Sequence, residues 1–241
     1  MKLSNTVGRE NVLTLAASTG RTDLVEELLN LNPRLNVHGL FESSKDLINT
    51  PNFHLQTALH IAVKRQQPDL VRVLINNGSD PSLSDMHGMT PLMVACKWVK
   101  PEKYGVKKNE KVASEIVNIL LRTQNCGVNS QITSDISKTN VSNYSRAVHA
   151  SKIAVGRTAL SFAAEAGYLN IVKKLIEKGA KVEIGKEDGW YPLTYAVYRG
   201  HLEIVKANLA KSCLILPNLS GGDKTENIYR FGIRNFSSGW S

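Results

Sequence analysis

The chain has 241 residues, 42% of them hydrophobic and 21% charged, and a net charge of +9, a balance that supports one or two globular domains and excludes a disordered chain. No apolar run approaches the roughly 18 residues of a membrane-spanning helix, and the opening MKLSNTVGRE lacks the apolar core of a secretory leader. Three scattered cysteines, Cys96, Cys126 and Cys213, form no Cys-x-x-Cys pair, which argues against a disulfide framework or structural zinc and for an intracellular location, cytoplasmic or nuclear.

Two anchors recur along the sequence, and each recurrence predicts one helical hairpin. After a lead of ten residues, the first unit starts at Asn11-Val12-Leu13, with its second anchor at Asp23-Leu24-Val25. The second starts at Thr57-Ala58-Leu59-His60 and continues at Asp69-Leu70-Val71. Leu59, Ala62 and Val63 share one face of a short helix, and Leu70, Val71, Leu74 and Ile75 one face of the next. The third unit opens at Thr90-Pro91-Leu92-Met93, the fourth at Thr158-Ala159-Leu160-Ser161 and the fifth at Tyr191-Pro192-Leu193-Thr194, with second anchors at Glu115, Asn170 and Glu203. Thr suits a helix N-cap, and Pro91 and Pro192 fall in the first turn, where a missing N–H costs little. Gly78 and Gly179 follow the second helices and suit a left-handed C-terminal cap.

The starts are spaced by 33, 68 and 33 residues from Thr57 onward. The irregular spacings predict insertions near 36–54, 99–114 and 130–155. The last two lie in the third unit and account for the long interval without a hidden sixth repeat. Residues 97–157 hold 11 basic and 4 acidic groups. Lys97, Lys100, Lys103, Lys107, Lys108 and Lys111 form a basic stretch there, with only Trp98 and Tyr104 as aromatics. The expectation for it is a solvated loop, with contact to an acidic protein or to nucleic acid as alternatives. Beyond Lys211 the periodicity fails, so 212–241 reads as an irregular tail, with disorder expected from about residue 218 and a fragment or short isoform left open.

Thr57 to Gly88 reads TALHIAVKRQQPDLVRVLINNGSDPSLSDMHG, and Thr158 to Gly189 reads TALSFAAEAGYLNIVKKLIEKGAKVEIGKEDG. With the 33-residue period, these segments resemble the ankyrin repeat family, over about residues 11 to 211. Asn11 and Tyr191 replace the starting Thr, only His60 keeps the motif His, and Lys186 stands where Asp85 matches the family's finger Asp. The resemblance implies an all-α solenoid of stacked helical hairpins with β-turn fingers, without catalytic activity, cofactor or metal.

No catalytic motif or metal-ligand spacing opposes that implication. The six histidines are scattered, His60 and His201 reading as structural, and Cys96 replaces a small core residue. The family resemblance implies protein binding through finger tips and the exposed face of the first helices. The second helices are consumed by stacking, which leaves a concave row free to vary. The expected partner-binding residues are Gln56, Lys64, Arg65, Met86, His87, Met89, Lys97, Trp98, Arg157, Glu165, Trp190, Tyr198 and Arg199. A scaffold or adaptor for another protein, with an acidic surface as one option, is the first reading. The alternatives are a nuclear or nucleic-acid-associated regulator using the basic insertion, and a ubiquitin-ligase-type recruiting adaptor.

Overall fold

The computed structural model describes residues 12–35, 44–97, 110–132, 155–185 and 190–207. Helices α1 (Val12–Thr19), α2 (Thr22–Leu35), α3 (Ser44–Asn49), α4 (Ala58–Lys64), α5 (Pro68–Asn76), α6 (Pro91–Cys96), α7 (Glu110–Leu120), α8 (Ala159–Ala166), α9 (Leu169–Glu177) and α10 (Pro192–Tyr198) follow in order. A last helix, α11, covers 202–207. The first helices α1, α4, α6, α8 and α10 pack in series, and α2, α5, α7 and α9 form a second series behind them. The described residues contain no strand, and the architecture is an all-α ankyrin solenoid.

Composition explains the two layers. The first helices are short and rich in small apolar residues, and α4 buries everything from Ala58 to Val63 while α8 buries everything from Ala159 to Ala164. A helix that is apolar all round belongs inside. The second helices are amphipathic: α5 buries Leu70, Val71 and Leu74 and exposes Asp69, Arg72 and Asn76. One continuous core results, running from Leu13 to Val205.

Each described start from the second unit onward is capped by a side chain, though by different residues. The Thr158 hydroxyl accepts from Ser161 N–H, and Ser161 Oγ accepts from Thr158 N–H at 2.9 Å. In the second unit His60 takes the place of Ser161, its Nδ1 accepting from Thr57 N–H at 3.2 Å. Thr194 Oγ1 does so for Tyr191 N–H at 3.4 Å. In the third unit Thr90 Oγ1 accepts from Met93 N–H at 3.4 Å. In three of these four starts a polar acceptor three residues in closes the reciprocal bond, a role that Ser and Thr fill as well as His.

Two fingers are built alike. Asn52 Oδ1 accepts from the N–H groups of His54 and Gln56, both at 2.9 Å. Asp85 Oδ1 accepts from His87 at 2.9 Å and Met89 at 3.0 Å. Both side chains are buried, since their oxygens are satisfied within the turn. His54 C=O then accepts from Met86 N–H at 3.0 Å, tying one finger to the next. A matching device acts behind them, where the Asn49 amide bonds Gly78 C=O and Asp80 N–H, and the Asn129 amide bonds Gly179 C=O and Lys181 N–H.

The segments expected as insertions contain structure at their edges. Within 36–54, α3 buries Leu47 and Ile48, an apolar pair too short to show periodicity in the sequence. Within 99–114, α7 begins at Glu110, four residues ahead of the start expected beside Glu115, and Ala113 is buried. Good helix formers extend the second helix backwards there. At the base of 130–155, Ile132 is buried and exchanges backbone hydrogen bonds with Gly156 and Arg157, at 2.7 and 3.0 Å. Residues 98–109, 133–154 and 208–241, and with them most of the basic stretch and the tail, lie outside the described residues.

Candidate protein-interaction face

From the second unit onward the first helices are buried along most of their length, and their exposed side chains cluster at the C-terminal ends. Those ends carry Ser18-Thr19, Lys64-Arg65, Lys97, Glu165-Ala166 and Tyr198-Arg199. Lys64, Arg65, Lys97, Tyr198 and Arg199 are exposed, whereas Gln56, Met86, His87, Arg157, Glu165 and Trp190 are half-buried. Trp98 lies outside the described residues. Met89 was expected on this face and belongs to the core: it is buried, its C=O accepts from His60 Nε2–H at 3.1 Å, and its sulfur sits 3.7 Å from Lys97 Nζ.

His60 is structural, as expected. With Nδ1 accepting from Thr57 N–H, its proton sits on Nε2, and burial holds its pKa below the ordinary value against the pull of Asp85 and of Met89 C=O. His201 is likewise a spacer, 3.1 Å from Glu165 C=O and packed over Gly167. Gly167 has φ +81°, and a Cβ there would meet the imidazole at 2.7 Å. The same turn in the second unit is made by Gln66 with φ +58°.

The densest cluster joins the fourth and fifth units. Arg157 and Arg199 both bind Glu165, the latter at 2.8 Å. Partial burial pushes the Glu165 carboxyl up, but hydrogen bonds and charge from Arg199 and Arg157 outweigh it and hold the pKa below the ordinary range. The Arg157 guanidinium lies 3.9 Å from the centre of the Phe162 ring and 4.2 Å from that of Tyr195, a stacked arrangement that fixes the cation. Trp190 packs 5.0 Å from Tyr195 and 5.6 Å from Tyr198, centre to centre. Loss of hydration lowers the pKa of Lys97, with Asp85 opposing.

Phe162 and Tyr195 were missed in the sequence as partners of this face. The available signal was an aromatic at the fifth position of a repeat, where Ile61 and Val94 stand in other units. Among the described residues, no group of three or more His, Cys, Asp or Glu side chains is placed to hold a metal ion, and no helix is long and apolar enough to cross a membrane.

A family model described as ankyrin repeats (3 copies) matches residues 13–132 and 107–215. The chain belongs to the ankyrin repeat family. NF-kappa-B inhibitor alpha of Homo sapiens is 33% identical to it over 135 residues, 56% of this chain and 33% of that protein. The B-cell lymphoma 3 protein homolog of Mus musculus is 29% identical over 168 residues, 69% of this chain and 31% of that protein. Glycerophosphocholine phosphodiesterase GDE1 of Candida albicans is 24% identical over 213 residues, 87% of this chain but only 15% of that protein. The chain thus spans about a third of the length of the first two relatives.

Proposed function

We propose that this chain is a non-catalytic protein-interaction module, a scaffold, adaptor or regulator, that binds a protein partner through its concave row. Lys64, Arg65, Lys97, Arg157, Glu165, Trp190, Tyr198 and Arg199 make up the row, with Gln56, Met86 and His87 on the fingers. The observation that carries this reading is the division of labour between layers. Leu59, Leu70, Leu74, Leu92 and Val172 are wholly buried in stacking, while Tyr and Arg side chains stand at the first-helix ends with Trp190 just ahead of α10, all of types enriched at interface hot spots.

The relatives supply a partner class. Two of them are tied to NF-kappa-B by name, one as an inhibitor of it and one, 27% identical and from Gallus gallus, as a subunit of it. We take an NF-kappa-B subunit as the first partner to test. Titration calorimetry of the intact chain against a purified NF-kappa-B dimer should give a saturable complex with a Kd of about 1 µM or tighter. The absence of saturable binding would remove this partner class.

A further inference from the structure

The recognition row has an uneven charge. Among the described residues, the first-helix ends carry Lys64, Arg65, Lys97 and Arg199 against the single carboxylate Glu165, and Arg157 enters the same cluster from the finger. Glu165 is shared between two guanidinium groups, so even this carboxylate leaves the cluster cationic. Asp85, buried in its turn, acts on Lys97 and offsets one of these cations, but Asp85 and Glu165 together remain outnumbered by the five basic groups.

Resting on the interaction reading above, we propose that the row binds an acidic segment of the protein partner, its carboxylates across Lys97 and Arg199 and an apolar side chain against Trp190 and Tyr198. Two observations support this occupant. Arg157 is held between Phe162 and Tyr195, so the cationic floor is ordered before binding and little side-chain entropy remains to be lost. Second, among the described residues Trp190 and Tyr198 stand together at the fifth-unit end, where Tyr198 is 57% exposed, and Phe53 is the one exposed aromatic near the Lys64 and Arg65 end. That pattern fits one apolar anchor beside an acidic stretch, whereas single-stranded nucleic acid asks for aromatics spaced along the backbone path to stack successive bases.

The test uses the intact chain at low ionic strength and three fluorescein-labelled probes. These are a glutamate-rich peptide with a central leucine, a lysine-rich peptide of equal length, and an oligothymidylate of the same charge as the acidic peptide. The acidic peptide should bind tightest and weaken as salt rises. The pair Lys97→Ala with Arg199→Ala should lower its affinity about tenfold, and Arg199→Lys alone should retain most of it. Circular dichroism of the variants checks that the helices persist. Tighter binding of the lysine-rich peptide or the oligothymidylate, or acidic-peptide binding indifferent to the paired substitution, overturns the inference. If an NF-kappa-B dimer binds the wild-type chain and the paired variant equally, the interaction reading stands and the acidic segment falls. If the acidic peptide binds as described and the dimer does not, only the partner class falls.

Discussion

In the second unit the inner helix turns its polar side chains to internal use: Thr57 and His60 bond each other, and His60 reaches on to Met89 C=O of the next unit. In the fourth and fifth units the corresponding layer holds Arg157, Glu165 and Arg199 beside Phe162, Tyr195, Trp190 and Tyr198. Both regions stack on leucines buried at matching positions, Leu59 and Leu74 in the second unit and Leu160 and Leu175 in the fourth. The difference lies in what remains after stacking is satisfied: a neutral imidazole sealed in the core at one end, and partly exposed cations and aromatic edges at the other. One backbone plan therefore serves cohesion in the second unit and leaves cations and aromatics partly exposed in the fourth and fifth, according to which side chains stand near the helix ends.

The largest expected effect probes the half of this comparison that should show no contrast. Leu74 and Leu160 are both buried in stacking, and Leu74→Ala or Leu160→Ala should cost about 2 to 5 kcal/mol in chemical denaturation. A loss under about 0.5 kcal/mol at either site would mean that the two regions are not held by the same core.

Acid titration separates the regions. Burial lowers the pKa of His60 in the folded chain, so the unfolded chain takes up that proton first. Its contribution is complete above about pH 6.5 and declines as the pH falls below it, by at most about 1.4 kcal/mol per unit for one proton. The lowered pKa of Glu165 acts in a lower window, its contribution being present above the ordinary carboxylate value and lost only as the pH falls through the depressed one. His60→Gln should flatten the upper part of the stability profile and leave the lower part. An unchanged slope near pH 6 would contradict the buried neutral imidazole.

The smallest effect concerns the turn between helices. Gln66 takes a left-handed conformation that Gly167 adopts in the fourth unit. Gln66→Gly should raise stability by about 0.5 to 1 kcal/mol, the relief of strain less the freedom glycine adds to the unfolded chain. Thermal denaturation measures this, and a loss of stability would show that the Gln66 side chain contributes more than its backbone costs.

The repeat array was legible because a solenoid is local: each unit announces itself by a capping residue and, a little later, by an acidic or amide residue followed by an apolar pair. What was hidden depends on neighbours distant in sequence. Leu47 and Ile48 form no periodic pattern by themselves and become core only because α2 and the second unit lie beside α3. Met89 looked like a finger residue but turns inward. The Arg157 stack joins residues from two units, Phe162 and Tyr195, and only packing could bring them together. The exposed helix ends Lys64, Arg65, Tyr198 and Arg199 followed directly from counting positions within each repeat.

The recognition role of the fifth-unit end is tested most directly by Trp190→Ala combined with Tyr198→Ala, assayed for binding to a partner that the wild-type chain binds and for thermal stability together. Tyr198 is 57% exposed, so the account predicts binding weakened by about 2 kcal/mol or more, with the melting temperature nearly unchanged. A sharply lower melting temperature with unchanged binding per folded molecule would contradict it, and would make the two aromatics a cover for the last repeat.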